Sequence, residues 1–314
     1  MDRSSVSLVV NDPETRRVGA DAKRRIQAAV HALGYVPDRA AKQLRGGVSR
    51  TVLLSYPSWM VGPTFDLFIE GLSDAAEAAD LLFLIHGSSS STGLAAARDW
   101  AAVGPRIFIG EHRRIDAEGI ALLFRSGTKV VLLAGDGVEQ PGALTIPLNA
   151  HEPGRMAAAH LVERGYRQLV VAVPSDPRHA FAVNARIGSF VQEADRLGVA
   201  SRIVRFGEAD DSLTLALEEI MSVGGRVGLF AHNDRYAVPL LGIARERGID
   251  VPGRLGVVAL DNILAAGSAT PQLTSISYDP RQFGEAILQY ALHGQEGTSA
   301  APGPLFRLTI RQSS

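Results

Sequence analysis

The sequence predicts an α/β protein: two Rossmann-like lobes preceded by a small, basic, all-helical head. Three observations carry this. From residue 50 onward, short β-rich apolar runs alternate with amphipathic helical stretches, the pattern of parallel sheets covered by helices on both faces. Eight or more strand–helix units in 314 residues fit two lobes better than one sheet. The charge is also divided. Residues 1–50 hold ten Lys/Arg and five Asp/Glu, a formal +5; that leaves 22 basic and 28 acidic groups, or −6, for the rest of a chain with 32 and 33 in all. A basic head on an acidic body assigns phosphate contact to one part and other work to the second.

In the head, Val6, Val9 and Val10 are spaced i, i+3, i+4, which predicts a short helix over Ser4–Val10. Asn11-Asp12-Pro13 ends it. A second helix is expected over Ala20–Leu33, with Ile26, Ala29, Val30 and Leu33 on one stripe and Lys23, Arg24 and Arg25 outside it. Asp21 in its first turn suits the helix dipole, and Gly34 stops it. Tyr35-Val36-Pro37 reads as extended, because the residue before Pro avoids the α region. A third short helix is expected over Asp38–Leu44, closed by Gly46-Gly47. Two short helices by themselves bury little, and the first has no evident partner.

In the body, strands are expected at Thr51–Ser55, Leu81–Ile85, Arg106–Ile109, Val130–Leu133, Leu169–Val173, Ile203–Phe206, Gly228–Ala231 and Gly256–Leu260, all reading as buried. Helices are expected at Phe65–Ala79, Gly93–Ala102, Glu152–Arg164, Asn184–Leu197, Leu213–Met221 and Tyr236–Arg247. Gly142 and Pro147 break the pattern, which puts a division between lobes near Thr145–Ala150. Two open sheets facing each other by their strand carboxyl ends make a cleft for a small molecule.

Several classes are excluded. With no Cys, neither disulfides nor thiolate metal sites are possible, and the eight His show no metal-ligand spacing. There is no dinucleotide-binding glycine fingerprint, P-loop or nucleophile elbow. The N-terminus lacks an apolar leader, and the longest apolar runs are too short to span a bilayer. The expectation is a cytoplasmic non-enzyme with no cofactor and no metal.

The head string from Ser4 to Asn11, followed by Lys23–Gly47, resembles the headpiece of the LacI/GalR family of bacterial transcription regulators. Ser5–Asn11 resembles the family's recognition helix. Gly34-Tyr35-Val36-Pro37 with Ala40, Ala41, Leu44 and Arg45 resembles its hinge-helix signature. The resemblance runs on through the body: Pro63-Thr64-Phe65; Asn149 and Gly154 with Ala159-His160-Leu161 and Gly165-Tyr166-Arg167; Arg186–Phe190; Phe230–Asp234; and Val257–Asn262 with Pro271–Ser275. It implies a type I periplasmic-binding-protein-like effector domain over 50–314. The first lobe would hold about 50–147 plus 279–300, and the second about 148–278 plus 304–314. A partial helix-turn-helix with hinge helix would occupy 1–47. No counterpart of the family's first helix precedes Ser5, and Met1 stands where members usually have Val. The expectation is an N-terminally truncated headpiece with the reading frame continuing upstream.

The resemblance also implies roles. Arg3, Ser4 and Leu8 would face base edges in the major groove, where Leu8 replaces the usual Arg. Lys23 and Arg39 would meet phosphates, and Leu44 would wedge a minor-groove step. In the cleft, Asp261 and Arg186 would contact an effector's hydroxyls or carboxylate, Asn233 would hydrogen-bond it, and Phe65 would offer an apolar face. Asn149 stands where most sugar-binding members have Asp, which weakens the case for an ordinary sugar. Read alone, each residue has a plainer meaning: Asp261-Asn262 as a turn, Arg186 as a solvated helix residue, Phe65 as core, Asp234 as a helix cap. His160 reads as structural. The implied function is a repressor that binds a palindromic operator as a homodimer, controlled by a carbohydrate-like effector. The rivals are a sensor that has lost its DNA role and a solute-binding protein of the same fold.

Overall fold

The computed structural model describes residues 3–11, 15–34, 49–58, 62–87, 90–135, 139–177, 180–207, 209, 211–293 and 301–314. The chain divides into two compact units, residues 1–49 and 50–314. In the first, α1 (Arg3–Asn11) and α2 (Ala20–Ala32) pack around Val9, Val18 and Ile26, with Leu8, Ala22 and Val30 partly buried against them. The apolar stripe of α2 is narrower than its periodicity predicts: Leu33 is 81% exposed and Ala29 is exposed. The nine-residue α1 is too short to cover more than the Ala22–Val30 face of its partner. The expected third helix, with Arg39 and Leu44, lies outside the described residues.

The second unit holds two sheets. The first has the order β2-β1-β3-β4-β5 and is parallel throughout. Its strands are β1 (Thr51–Ser55), β2 (Leu82–His86), β3 (Ile107–Glu111), β4 (Val130–Ala134) and β5 (Leu144–Ile146). Strand alternation sorts its residues into two cores. Val52, Leu54, Ile107 and Ile109 pack under α3 (Pro63–Ala78), while Leu53, Phe108, Val131 and Leu133 pack under α4 (Gly93–Val103) and α5 (Ala117–Arg125). The strand expected at Leu81–Ile85 forms, but it is not buried. As β2 it pairs, among the described residues, with β1 alone, and Leu82, Leu84 and Ile85 remain 36–43% exposed.

The second sheet has the order β11-β10-β9-β8-β6-β7. Its parallel strands are β6 (Gln168–Pro174), β7 (Ala200–Phe206), β8 (Val227–Ala231), β9 (Leu255–Leu260) and β10 (Thr274–Ser277), and β11 (Arg307–Thr309) joins antiparallel to β10. One face carries α6 (Glu152–Glu163) and α7 (Ala180–Arg196); the other carries α8 (Ser212–Met221) and α9 (Asp234–Glu246). The chain crosses between sheets after β5, forms the single turn α10 (Leu264–Ser268) between β9 and β10, returns after β10 into α11 (Pro280–His293), and crosses again before β11. Helix α11 completes the first sheet's core with Phe283, Ile287 and Leu288.

Two glycine contacts set the helix spacing. On α3, a Cβ at Gly71 would lie 2.1 Å from the Arg281 carbonyl oxygen, and on α11, one at Gly284 would lie 2.4 Å from that of Phe68. The two backbones therefore touch where only glycine fits.

Candidate functional site

The carboxyl ends of the two sheets face a shared cavity of about 260 Å³. This is where open α/β sheets hold ligands, because the strand ends leave a crevice that the connecting loops line. The first sheet contributes Ser55 at the end of β1 and Glu111 at the end of β3; the second contributes His232 and Asn233 after β8 and Asp261 after β9. Arg186 reaches in from α7.

Aromatic rings form much of the apolar wall. Phe65 meets Tyr56 edge-to-face at 5.3 Å and stacks on Phe68 at 5.7 Å. Phe68 contacts Phe283, which contacts Tyr278, which meets Phe306 edge-to-face at 5.4 Å. This run joins α3, α11 and both late crossings between the sheets.

The polar groups on the second sheet form one electrostatic unit. Arg186 Nη1 donates to the His232 carbonyl and lies 3.3 Å from its Nδ1. Desolvation holds the Arg186 guanidinium below its usual range, against the opposing pull of Asp261 and Tyr278. Desolvation likewise raises the Asp261 carboxyl, while Arg186 and a hydrogen bond from Asn233 lower it. The Tyr278 hydroxyl is pushed up to about 12, by burial first and by Asp261 second. Arg186 Nε and Asn233 Oδ1 are buried and have no partner among the described residues.

The turn that presents Asp261 is held from behind. Asp261 has φ 104° and Asn262 φ 51°, both in the left-handed half that non-glycine residues rarely enter. Buried Asp234 accepts from Ile263 N at 2.8 Å and from Ser275 Oγ at 2.7 Å; Ser275 Oγ in turn accepts from Asn262 N. Arg311 donates to Asn262 Oδ1 at 2.7 Å. Burial pushes the Asp234 carboxyl up to about 7. Arg186 is positioned by a close approach: a Cβ at Gly154 on α6 would lie 2.2 Å from the Arg186 carbonyl oxygen.

Four of the five expected cleft residues, Phe65, Arg186, Asn233 and Asp261, line this cavity. Asn149 does not. It sits at φ 48° in the first crossing and donates to the Pro304 carbonyl of the third, at 3.3 Å. Sequence reasoning missed Glu111, His232 and Tyr278. Glu111 was detectable, since a carboxylate ending an otherwise apolar parallel strand sits where ligands bind. Asp234, read as a possible cap, is tied instead to Ser275 and Ile263. His160 packs on α6 and bonds Ser314 Oγ at 2.8 Å, and desolvation keeps its imidazole below the usual range.

In the head, Arg3 opens α1, Ser4 is exposed, and Leu8 is half-buried beside the small core; Lys23 is half-buried on α2. Among the described residues no group of His, Asp and Glu is arranged to hold a metal ion, and no helix is long and apolar enough to cross a membrane.

The fold has counterparts among known proteins. Residues 158–314 match the family model of the periplasmic binding protein-like domain. The chain is 23% identical to the HTH-type transcriptional repressor PurR of Photobacterium profundum, covering 91% of this chain and 86% of the relative. It is 24% identical to the lactose operon repressor of Escherichia coli, covering 98% and 85%. Among solved structures, the Lac repressor dimer bound to operator and the anti-inducer ONPF superposes with a TM-score of 0.80 at 20% identity, over 99% of this chain and 94% of that one. A ribose-bound LacI family regulator from Enterococcus faecium gives 0.68 at 18% identity, over 84% and 98%. The chain belongs to the family of periplasmic binding protein-like domains, in the LacI/GalR branch of transcriptional regulators.

Proposed function

We propose that this protein is a cytoplasmic repressor whose hold on operator DNA is set by a small polar effector bound between the two sheets. One observation carries the reading: Arg186, Asn233 and Asp261 converge on a cavity walled by aromatic rings, with Arg186 Nε and Asn233 Oδ1 unpaired among the described residues. A site built to hydrogen-bond a ligand rejects analogues that leave such atoms unmet. The aromatic wall suits the C–H face of a sugar ring or a planar base. The ribose-bound neighbour agrees with this class of ligand.

In this reading Arg186 and Asp261 grip the effector from the second sheet and Phe65 packs against it from the first. Binding changes how the lobes are set, and in a dimer that changes the spacing of two hinge helices. Arg3, Ser4 and Leu8 would read bases, Lys23 and Arg39 would bind phosphate, and Leu44 would open a base step. A palindromic operator calls for a two-fold dimer. The exposed apolar edge strand β2 is a surface that pairing would cover.

The test is a thermal-shift screen with sugars, sugar acids and nucleosides, followed by gel-shift titration on DNA selected from a randomised palindromic library. A cavity ligand that changes DNA affinity supports the reading. A ligand that binds while the chain retains no DNA affinity points to a sensor without a DNA role.

A further inference from the structure

Among the described residues the carboxylate at the end of β3 is bonded through one oxygen only. Glu111 is 3% exposed and lines the cavity on the wall of the first sheet. Its Oε2 accepts from both the backbone N and the Oγ of Ser58, at 3.0 and 2.6 Å. Its Oε1 is buried and has no partner among the described residues. On the facing wall Asp261 is balanced by Arg186, whereas Arg235, the other cation of the lining, is exposed to solvent. Among the residues that line the cavity, the buried carboxylates outnumber the buried guanidinium by one, and the extra one is on the first sheet; the neighbouring buried Arg114 donates to Ser55 Oγ and to the carbonyls of Tyr56 and Ser91. A buried acceptor without a donor is costly, and a carboxylate more so.

We propose that Glu111 is a specificity-determining acceptor: it takes a hydrogen bond from a donor group, a hydroxyl or an ammonium, on the end of the effector that faces away from Arg186. The ligand is then polar in a fixed sense. It presents an acceptor to Arg186 and a donor to Glu111, with its apolar face against the aromatic wall between them. A ligand with a carboxylate or phosphate at the Glu111 end is rejected, because two buried like charges would meet. Such a ligand joins the two sheets through one polar group on each. The inference rests on the effector reading above and deepens it.

The experiment measures ligand-induced thermal shift and binding isotherms for the full chain with D-ribose, D-glucose, cellobiose, D-glucosamine, D-glucuronate and adenosine. At least one probe is expected to bind, and a carboxylate probe such as D-glucuronate to bind only with its carboxylate at the Arg186 end, so that Arg186→Ala removes its binding. Glu111→Gln, isosteric but able to turn a donor toward the ligand, is expected to weaken the best probe about ten- to a hundredfold. Ser58→Ala is expected to change it less than about threefold, because the carboxylate remains; a loss as large as that of Glu111→Gln would mean that Glu111 only pins its loop, and would overturn the proposal. If Glu111→Gln does not melt cooperatively, Glu111→Asp replaces it with the same expectation. Unchanged affinity in a folded Glu111 variant overturns the proposal and leaves the effector reading intact, provided Arg186→Ala abolishes binding. Binding that survives Arg186→Ala, or no binding by any probe, overturns both.

Discussion

Asp261 is the residue on which the site turns, and its backbone shows why. A non-glycine residue at φ 104° persists only where its surroundings hold it. Here Asp234, Ser275 and Arg311 hold the turn from behind, and the buried carboxylate stays within the electrostatic reach of Arg186. Arg186→Ala and Asp261→Ala are each expected to abolish the ligand-induced thermal shift; retention in both would remove the site assignment. Asp234 gives a pH test. Its carboxyl is held at about 7 in the fold against an ordinary 3.8, so the folded state binds that proton more tightly than the unfolded chain. Its contribution to stability is full below about pH 3.8 and is lost as pH rises through about 7. Asp234→Asn should therefore flatten the decline in melting temperature across that window, whereas an unchanged pH profile would show that Asp234 is ionised throughout. The motif string brought Arg186, Asn233, Asp261 and Phe65 to one cavity lining. The place of Asn149 could not be read that way, because its partner, the Pro304 carbonyl, lies 155 positions away across a chain crossing.

Among the elements, helix contacts through glycine fix the geometry around the cavity. Gly284→Ala would drive a methyl into the Phe68 carbonyl, and backbone cannot yield as a flexible side chain can. A loss of about 1–3 kcal/mol is expected, read as a lower urea midpoint with unchanged slope. Gly188, on α7, has open space where its Cβ would go, and Gly188→Ala is expected to be neutral or to stabilise by up to about 1 kcal/mol. Equal losses in the two variants would contradict the packing account. All eight expected strands and six expected body helices form within a few residues of their predicted bounds. The central strands β1, β3 and β4 read plainly because their alternate residues are divided between two cores, whereas the edge strands β2 and β7 bury one face and leave Leu84 and Ile203 exposed. Helices α5, α10 and α11 went unpredicted: α5 is capped by Asp116, which accepts from Gly119 N at 2.8 Å, and α11 buries Phe283, Ile287 and Leu288 against the first sheet's core. Strands β5, β10 and β11 span three or four residues, too few for alternation to register. The exposure of β2 could not be read from its composition, because whether an apolar strand lies at an edge is a matter of strand order.

For the molecule as a whole, the division of charge predicts how DNA affinity responds to salt. A head of formal +5 releases counterions when it binds, so log affinity should fall steeply and linearly with log salt, by roughly 0.9 per phosphate neutralised. A flat response over 50–200 mM would count against operator binding by this head. The effector's influence must also be reciprocal: whatever factor it imposes on DNA affinity, DNA imposes on effector affinity. The most direct test is therefore a titration of selected palindromic DNA with the full chain, with and without the best cavity ligand, repeated with Arg186→Ala. The account predicts at least a fivefold ligand-dependent change in DNA affinity that disappears in the variant. DNA affinity that is indifferent to a ligand known to fill the cavity would contradict it.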